Sequence, residues 1–177
     1  MDSVLKNNKT PFVLWITGLS GSGKTTMGTA VHQRLKKEYN NLVLLDGDGV
    51  RKILGDDLGH TPKDRYKNAL RISEMCIFLH QQGINVICCT MSLYKDIHER
   101  NRKHIQNYLE VYIEVPLEEL IKRDQKQLYS RALKGEIQHV VGIDMLFDVP
   151  ENCDLVIDNS QKNNLPIKIN QIINLIK

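Results

Sequence analysis

The chain has 177 residues, of which 41% are hydrophobic and 25% charged, and its formal net charge is +3. This length and balance predict one folded domain over residues 1–177 and exclude an extended disordered protein. So small a net charge predicts binding neither to nucleic acid nor to an anionic membrane. No apolar run reaches the length of a membrane span, and the first residues lack the order of a signal peptide, so we expect a cytoplasmic protein.

Strand and helix patterns alternate along the chain. Short apolar runs predict five strands, at residues 12–17, 42–45, 84–89, 109–115 and 155–157. Capping residues and apolar periodicity predict helices at residues 24–37, 61–83, 94–107, from 116 onward, and 165–176. This alternation is typical of an α/β fold, a parallel sheet with helices on both faces. The polar, basic segment 124–142 predicts a mobile lid with few core contacts.

The clearest motif is GLSGSGKT at residues 18–25, which matches the P-loop pattern G-x-x-x-x-G-K-[ST] between a strand and a helix. Its backbone N–H groups are expected to surround a polyphosphate. Lys24 would neutralise the β- and γ-phosphates, and the Thr25 hydroxyl would bind Mg²⁺. ATP and Mg²⁺ are therefore the expected cofactors, and the predicted ATP-binding residues here are Gly18, Ser20, Gly21, Ser22, Gly23, Lys24, Thr25 and Thr26.

A P-loop does not by itself separate kinases from GTPases, motors and regulatory ATPases. The stretch DGDG at 46–49 fits the D-x-x-G of GTPases, but no N-K-x-D for guanine follows it. Asp46 and Asp48 follow the second predicted strand, and in an extended segment both side chains would share one face. We predict that one holds Mg²⁺ through water while the other orients or deprotonates an attacking hydroxyl. The alternative is that both solvate the loop and cap the next helix.

Arg65, Asn68 and Arg71 recur every three residues on the helix that begins near Pro62. They fall within an arc of about 120°, so they form one polar stripe. Two guanidinium groups and an amide suit an anionic acceptor, although a solvated helix face would show the same pattern.

Several further motifs resemble the adenylyl-sulfate kinase family. They are LDGDGVR at 45–51, DLG at 57–59, DRYKN at 64–68, RD at 123–124, LY at 128–129, KGEI at 134–137, GID at 142–144, PEN at 150–152 and DLV at 154–156. The resemblance covers roughly residues 11–160 in order. It implies a P-loop kinase fold, ATP-dependent phosphorylation of the ribose 3′-hydroxyl of a small-molecule nucleotide, a lid at about 123–144, and a homodimer.

The resemblance also implies residue roles. Asp48 would act on the acceptor hydroxyl, with Lys24 and Asp46 as the other catalytic groups. Arg123 would lie near the ATP base, and Lys126 near the transferring phosphate. The implied acceptor site consists of Asp48, Arg51, His60, Arg65, Asn68, Ser92, Lys126, Val140 and Ile143.

Departures from the family pattern concentrate where the acceptor's base is expected. His60 replaces the Phe of D-L-G-F, Val140 replaces the Phe of F-T-G-I-D, and Gly49 replaces the Asn of D-G-D-N. The two lost rings are those expected to sandwich adenine, whereas the P-loop and both aspartates are intact. This combination suggests unchanged chemistry on a different base.

One branch of the family fits these departures, namely the cytidine diphosphoramidate kinases of bacterial capsule modification, which act on a cytidine nucleotide. An adenylyl-sulfate kinase whose adenine clamp is rebuilt from other residues is the alternative. A non-catalytic domain that binds ATP and regulates a partner is a third hypothesis. The intact Lys24, Thr25, Asp46 and Asp48 argue against it.

Overall fold

The computed structural model describes residues 10–55 and 57–177. Within them, five parallel strands form one sheet in the order β2-β3-β1-β4-β5. The strands are β1 Val13–Thr17, β2 Leu42–Asp46, β3 Asn85–Cys89, β4 Tyr108–Glu114 and β5 Leu155–Asp158. The predicted parallel α/β fold is therefore confirmed, and all five predicted strands are present with end shifts of at most one residue.

The described residues also form seven α-helices. They are α1 Lys24–Leu35, α2 Gly47–Ile53, α3 Pro62–Gln81, α4 Lys95–His104, α5 Leu117–Arg123, α6 Leu128–Leu133 and α7 Leu165–Ile176. None of these helices is long and apolar enough to cross a membrane. The start of α3 follows the sequence signals, because the Thr61 hydroxyl accepts a hydrogen bond from the Asp64 backbone N–H and Pro62 is the first helical residue.

Alternating side chains of the strands create two cores, one on each face of the sheet. Leu14 and Ile16 of β1 pack with apolar residues of α1 and α7 on one face. Val13 and Trp15 pack on the other face with residues of α3 and α4. Because both faces are covered, the strands are apolar at successive positions, which is the pattern that identified them.

The first correction concerns α2, which the sequence interpretation missed. Asp46 ends β2 and caps α2 at once, since its carboxylate accepts hydrogen bonds from the backbone N–H groups of Asp48 and Gly49. Asp46 and Asp48 therefore do not lie on one extended segment, and the predicted two-residue spacing on one face is wrong. The alternative that the pair caps the next helix is correct for Asp46.

The second correction concerns the lid segment, which contains a 3₁₀ turn (Gln125–Gln127) and α6. It has more core contact than its polar composition predicted, because Tyr129 and Val140 are 1% and 2% exposed in a third apolar cluster. The Tyr129 hydroxyl donates to the Ser20 carbonyl at 2.9 Å, which joins the segment to the P-loop. The mobility of this lid stays a prediction.

Candidate active site

A cavity of about 450 Å³ lies beyond the carboxyl ends of β1, β2 and β3. Ligands of open parallel sheets bind at this edge. The P-loop forms one wall, and α2 and α3 form the opposite one. Of the residues predicted from the sequence, those that line the cavity are Ser20, Gly21, Gly23, Lys24, Thr25, Thr26, Asp46, Asp48, Arg51, His60, Arg65, Asn68, Ser92 and Lys126.

Close backbone approach explains the glycines of the P-loop. A Cβ atom on Gly18 would lie 2.5 Å from the Ile113 carbonyl oxygen, and one on Gly23 would lie 2.8 Å from Asn159 Nδ2. Both residues have positive φ angles, 145° and 107°, which L side chains rarely adopt. Gly18 and Ser22 belong to the loop but do not line the cavity, so their contribution to an ATP site would be to the shape of the loop.

Lys24 lies inside the curve of the loop. Its Nζ donates to the carbonyl oxygens of Gly18 and Leu19, each at 2.8 Å. Burial lowers the pKa of Lys24 to about 8, although the neighbouring Cys89, Asp48 and Asp46 raise it. The ammonium group is thus held where phosphate oxygens would restore its lost solvation.

The two aspartates have different surroundings. Asp46 Oδ2 accepts a 2.7 Å hydrogen bond from the Thr25 hydroxyl, while its other oxygen caps α2. Asp48 Oδ2 accepts a 2.8 Å hydrogen bond from Lys126 Nζ, across the cavity. This bond, together with the charges of Lys126 and Lys24, lowers the pKa of Asp48 below its ordinary value. Asp46 therefore has a structural partner at each oxygen, whereas Asp48 is an ionised carboxylate directed at the cavity.

Two arginines line the opposite wall. Arg51 Nη1 donates to the carbonyl oxygens of Leu58 and Gly59, at 3.0 and 2.7 Å. Arg65 donates from Nε to the His60 carbonyl at 3.0 Å and from Nη2 to the His139 carbonyl at 2.8 Å. Arginine carries five N–H donors, so these bonds use only part of each guanidinium. The wall is thus a fixed pair of cations suited to an anion.

The predicted polar stripe on α3 is divided in the structure. Arg65 and Asn68 line the cavity, but Arg71 forms a two-pronged ion pair with Asp57, at 2.7 and 2.6 Å. Arg71 does not line the cavity, so the stripe prediction is wrong for this residue. Its spacing on the helix is regular, yet the chain turn before α3 brings a carboxylate to it.

Of the two positions where rings were expected, only one lies at the cavity. His60 lines it, and burial followed by the charges of Arg65 and Arg51 lowers the pKa of its ring, which favours the neutral form. Val140 and Ile143 pack in the third apolar cluster and do not line the cavity, which contradicts their predicted place there. The cause is a turn at His139, where Asp144 accepts hydrogen bonds from the backbone N–H groups of His139 and Val140.

The sequence interpretation missed apolar residues that line the same cavity. They include Tyr94, Val141, Met145, Leu146 and Phe147. The run MLF at 145–147, inside an otherwise polar segment, was an available signal. Aromatic surface is therefore present in the wall, although it comes from other positions than the two expected.

Arg123 lies outside the cavity lining. Its Nη2 donates to the carbonyl oxygens of Asn159 and Ser160, at 2.7 and 2.6 Å, and its Nε to Glu119 at 3.2 Å. Asn159 in turn donates to the Ser22 carbonyl at 2.7 Å, so Arg123 is anchored behind the P-loop. Its contact with an ATP base stays a prediction.

Comparisons with known proteins agree with this geometry. Residues 10–158 match the family model described as adenylylsulphate kinase. A cytidine diphosphoramidate kinase of Campylobacter jejuni is 49% identical over 96% of this chain and 97% of its own length. A probable adenylyl-sulfate kinase of Archaeoglobus fulgidus is 41% identical over 86% of this chain and 98% of its own.

A solved structure is similar over the same length. It is the Mycobacterium tuberculosis APS kinase in complex with AMPPNP and APS, with a TM-score of 0.84 and 32% identity. The alignment covers 94% of this chain and 98% of that one. The P-loop, the paired carboxylates and a family match over most of the chain agree, and the chain therefore belongs to the adenylylsulphate kinase family of ATP-dependent kinases.

Proposed function

We propose that this kinase transfers the γ-phosphoryl group of ATP to the ribose 3′-hydroxyl of cytidine diphosphoramidate. The observation that supports this acceptor concerns the two positions where rings that stack on adenine were expected. His60 is a neutral, small ring at one expected stacking position, and Val140 at the other is in the core. Adenine would lose the stacking partner expected at position 60, which is worth about 0.5–1.5 kcal/mol beyond burial. A pyrimidine needs less ring surface and can accept a hydrogen bond from an imidazole.

The described residues fit Mg²⁺ bound to ATP. The Thr25 hydroxyl and the Asp46 carboxylate lie 2.7 Å apart at the cavity, and oxygen ligands are what Mg²⁺ prefers. Thr25 would ligate the ion directly and Asp46 through water. When bound, Mg²⁺ supplies positive charge to the β- and γ-phosphates. Lys24 supplies a second positive charge from inside the P-loop.

The transfer uses Asp48 and Lys126. Asp48 accepts the proton of the 3′-hydroxyl while the 3′-oxygen forms a bond to the γ-phosphorus. The bond from that phosphorus to the β–γ bridging oxygen breaks, and ADP leaves with the bond's electron pair. Lys126 pairs with Asp48 across the cavity at 2.8 Å, so its ammonium is within reach of the transferring group. Arg51, Arg65 and Asn68 hold the diphosphate of the acceptor.

Sequence similarity supports the same acceptor independently. The relative named for cytidine diphosphoramidate is 49% identical, against 41% for the adenylyl-sulfate kinase of Archaeoglobus fulgidus. From what the resemblance to the family implies, we also propose a cytoplasmic homodimer that serves capsule phosphoramidate synthesis.

Adenylyl sulfate is the second candidate acceptor, and one observation favours it. Tyr94 and Phe147 line the cavity and could form a clamp from other positions. Phosphorus NMR separates the candidates. The protein, ATP and Mg²⁺ are mixed with each nucleotide, and a new 3′-phosphomonoester signal is sought together with ADP. The Lys24→Ala variant is the control. If neither nucleotide gives that signal while ATP still binds, both proposed acceptors are wrong.

A further inference from the structure

A buried charged cluster lies behind Ser92, a predicted acceptor-site residue that lines the catalytic cavity, and takes no part in the steps above. Glu110 of β4 has a side chain only 1% exposed, and His98 of α4 is 8% exposed. Arg102, one turn further along α4, completes the cluster with a 3.1 Å ion pair to Glu110 Oε2. Buried charges are costly, so such a cluster calls for a physical reason.

Both ring nitrogens of His98 face groups that only accept hydrogen bonds. Nδ1 lies 3.0 Å from Glu110 Oε1, and Nε2 lies 2.6 Å from the Ser92 carbonyl oxygen. A neutral imidazole has a single N–H and can satisfy only one of them. The doubly protonated ring donates to the carbonyl and at the same time forms an ion pair with Glu110 Oε1, an oxygen that has no hydrogen-bond partner among the described residues.

The charged surroundings of His98 come from several elements. Glu110 and Tyr108 belong to β4, Arg102 to α4 itself, and Asp154 precedes β5, 3.7 Å from Arg102. Outside the ring lies a second cavity of about 360 Å³, whose other charged lining residues are Lys95, Glu99, Asp148 and Glu151. Burial lowers the pKa of His98, but the hydrogen bond and charge of Glu110 and the Ser92 carbonyl outweigh it, so the pKa is raised above 6.5.

The carbonyl that His98 contacts belongs to Ser92, a predicted acceptor-site residue. Ser92 is 2% exposed and lines the catalytic cavity, and its Oγ has no hydrogen-bond partner among the described residues. Its carbonyl also accepts a 3.2 Å hydrogen bond from the Thr17 hydroxyl at the end of β1. Two donors thus fix the Ser92–Leu93 peptide and with it the place of the Ser92 side chain in the cavity wall.

We propose that His98, held as an imidazolium by Glu110, is a positioning residue that fixes Ser92 in the wall of the acceptor site. It touches neither nucleotide and acts through the Ser92 carbonyl. The inference rests on the proposed function only in taking the acceptor as the ligand that Ser92 faces. When His98 loses a proton, the remaining N–H stays on Nδ1 beside the charged Glu110 carboxylate, so Nε2 no longer donates to the Ser92 carbonyl and the acceptor KM rises by about tenfold. The KM for ATP stays unchanged over the same pH interval.

Two variants separate this role from a merely structural one, because they move the transition in opposite directions. Glu110→Gln removes the negative charge that retains the proton, so the transition in acceptor KM moves to lower pH. Arg102→Gln removes a neighbouring positive charge that lowers the pKa of His98, so the transition moves to higher pH. His98→Gln can still donate to the Ser92 carbonyl but does not titrate, so its acceptor KM is flat with pH.

The experiment measures acceptor KM and kcat at saturating ATP from pH 6 to pH 9 in the parent and the three variants. NMR of histidine-labelled protein gives the pKa of His98 directly, with its signal assigned by His98→Gln, and needs no acceptor. A pKa of 6.5 or below, or transitions that coincide in Glu110→Gln and Arg102→Gln, overturns the inference. If the parent accepts only adenylyl sulfate, the proposed function fails, and the same series with that nucleotide still decides the role of His98.

Discussion

Replacing Asp48 by asparagine separates its role from that of Asp46. Asp48 has a 75% exposed side chain, and among the described residues it forms one ion pair, with Lys126, itself 78% exposed. Exposed ion pairs contribute about 0–1 kcal/mol, so Asp48→Asn changes the free energy of unfolding little. Loss of a general base lowers the rate by about 10²–10⁴-fold. At about 1.36 kcal/mol per tenfold, the barrier rises by roughly 2.7–5.4 kcal/mol.

The assay is ADP release under saturating ATP and acceptor, together with calorimetric titration of ATP and Mg²⁺ in the absence of acceptor. We expect Asp48→Asn to lose kcat while ATP affinity stays within about threefold, less than 1 kcal/mol. Asp46→Asn is the matched control, because asparagine caps a helix about as well as aspartate does. It keeps the cap of α2 but replaces the oxygen that accepts from Thr25 by an NH2 group, so it removes the charge and that hydrogen bond and weakens binding of Mg²⁺ and ATP. If Asp48→Asn weakens ATP binding and leaves kcat within tenfold, the two roles are exchanged.

Three further predictions follow from buried groups. Lys24 binds phosphate in its charged form and has a pKa of about 8, so calorimetry should show ATP affinity falling as pH rises through 8. Lys24→Ala should abolish turnover. Gly28→Ala places a Cβ 2.1 Å from Cys89 Sγ, so urea unfolding should show a loss of about 1–3 kcal/mol in the free energy of unfolding. Gly49→Ala is the control and should not destabilise the protein, because its Cβ meets nothing nearer than 3.9 Å. Because the pKa of His98 is raised in the folded protein, protonation of His98 stabilises the fold fully below pH 6.5, and this stabilisation is lost as pH rises through the folded pKa. Glu110→Gln should therefore flatten that part of the profile of unfolding free energy against pH.

Local signals predicted most of the fold. The apolar runs mark strands buried on both faces, and the Thr61–Pro62 cap fixes the start of α3 within one residue. The helix α2 was missed because Gly47 and Gly49 disfavour helix by propensity. Its start depends on the capping hydrogen bonds of Asp46, which become visible only in three dimensions.

The residues that line the cavity were predictable where a motif fixes the backbone. They were unpredictable where a contact with a residue distant in sequence decides the position of a side chain. Most P-loop residues and both aspartates after β2 line the cavity, although the two aspartates do not share one extended face. Arg71 and Val140 do not, because an ion pair with Asp57 and the turn at His139 move them out of the site. Glu110 and His98 lie twelve residues apart on different elements, so no spacing rule could pair them.

The ratio of kcat/KM for two acceptors tests the central claim most directly. Cytidine diphosphoramidate and adenylyl sulfate are assayed side by side with the parent and with His60→Phe, at one pH and one Mg²⁺ concentration. We expect the parent to prefer cytidine diphosphoramidate, and His60→Phe to shift the ratio towards adenylyl sulfate by up to about tenfold, since a stacked ring contributes about 0.5–1.5 kcal/mol. A parent enzyme with the higher kcat/KM for adenylyl sulfate would contradict the proposed acceptor.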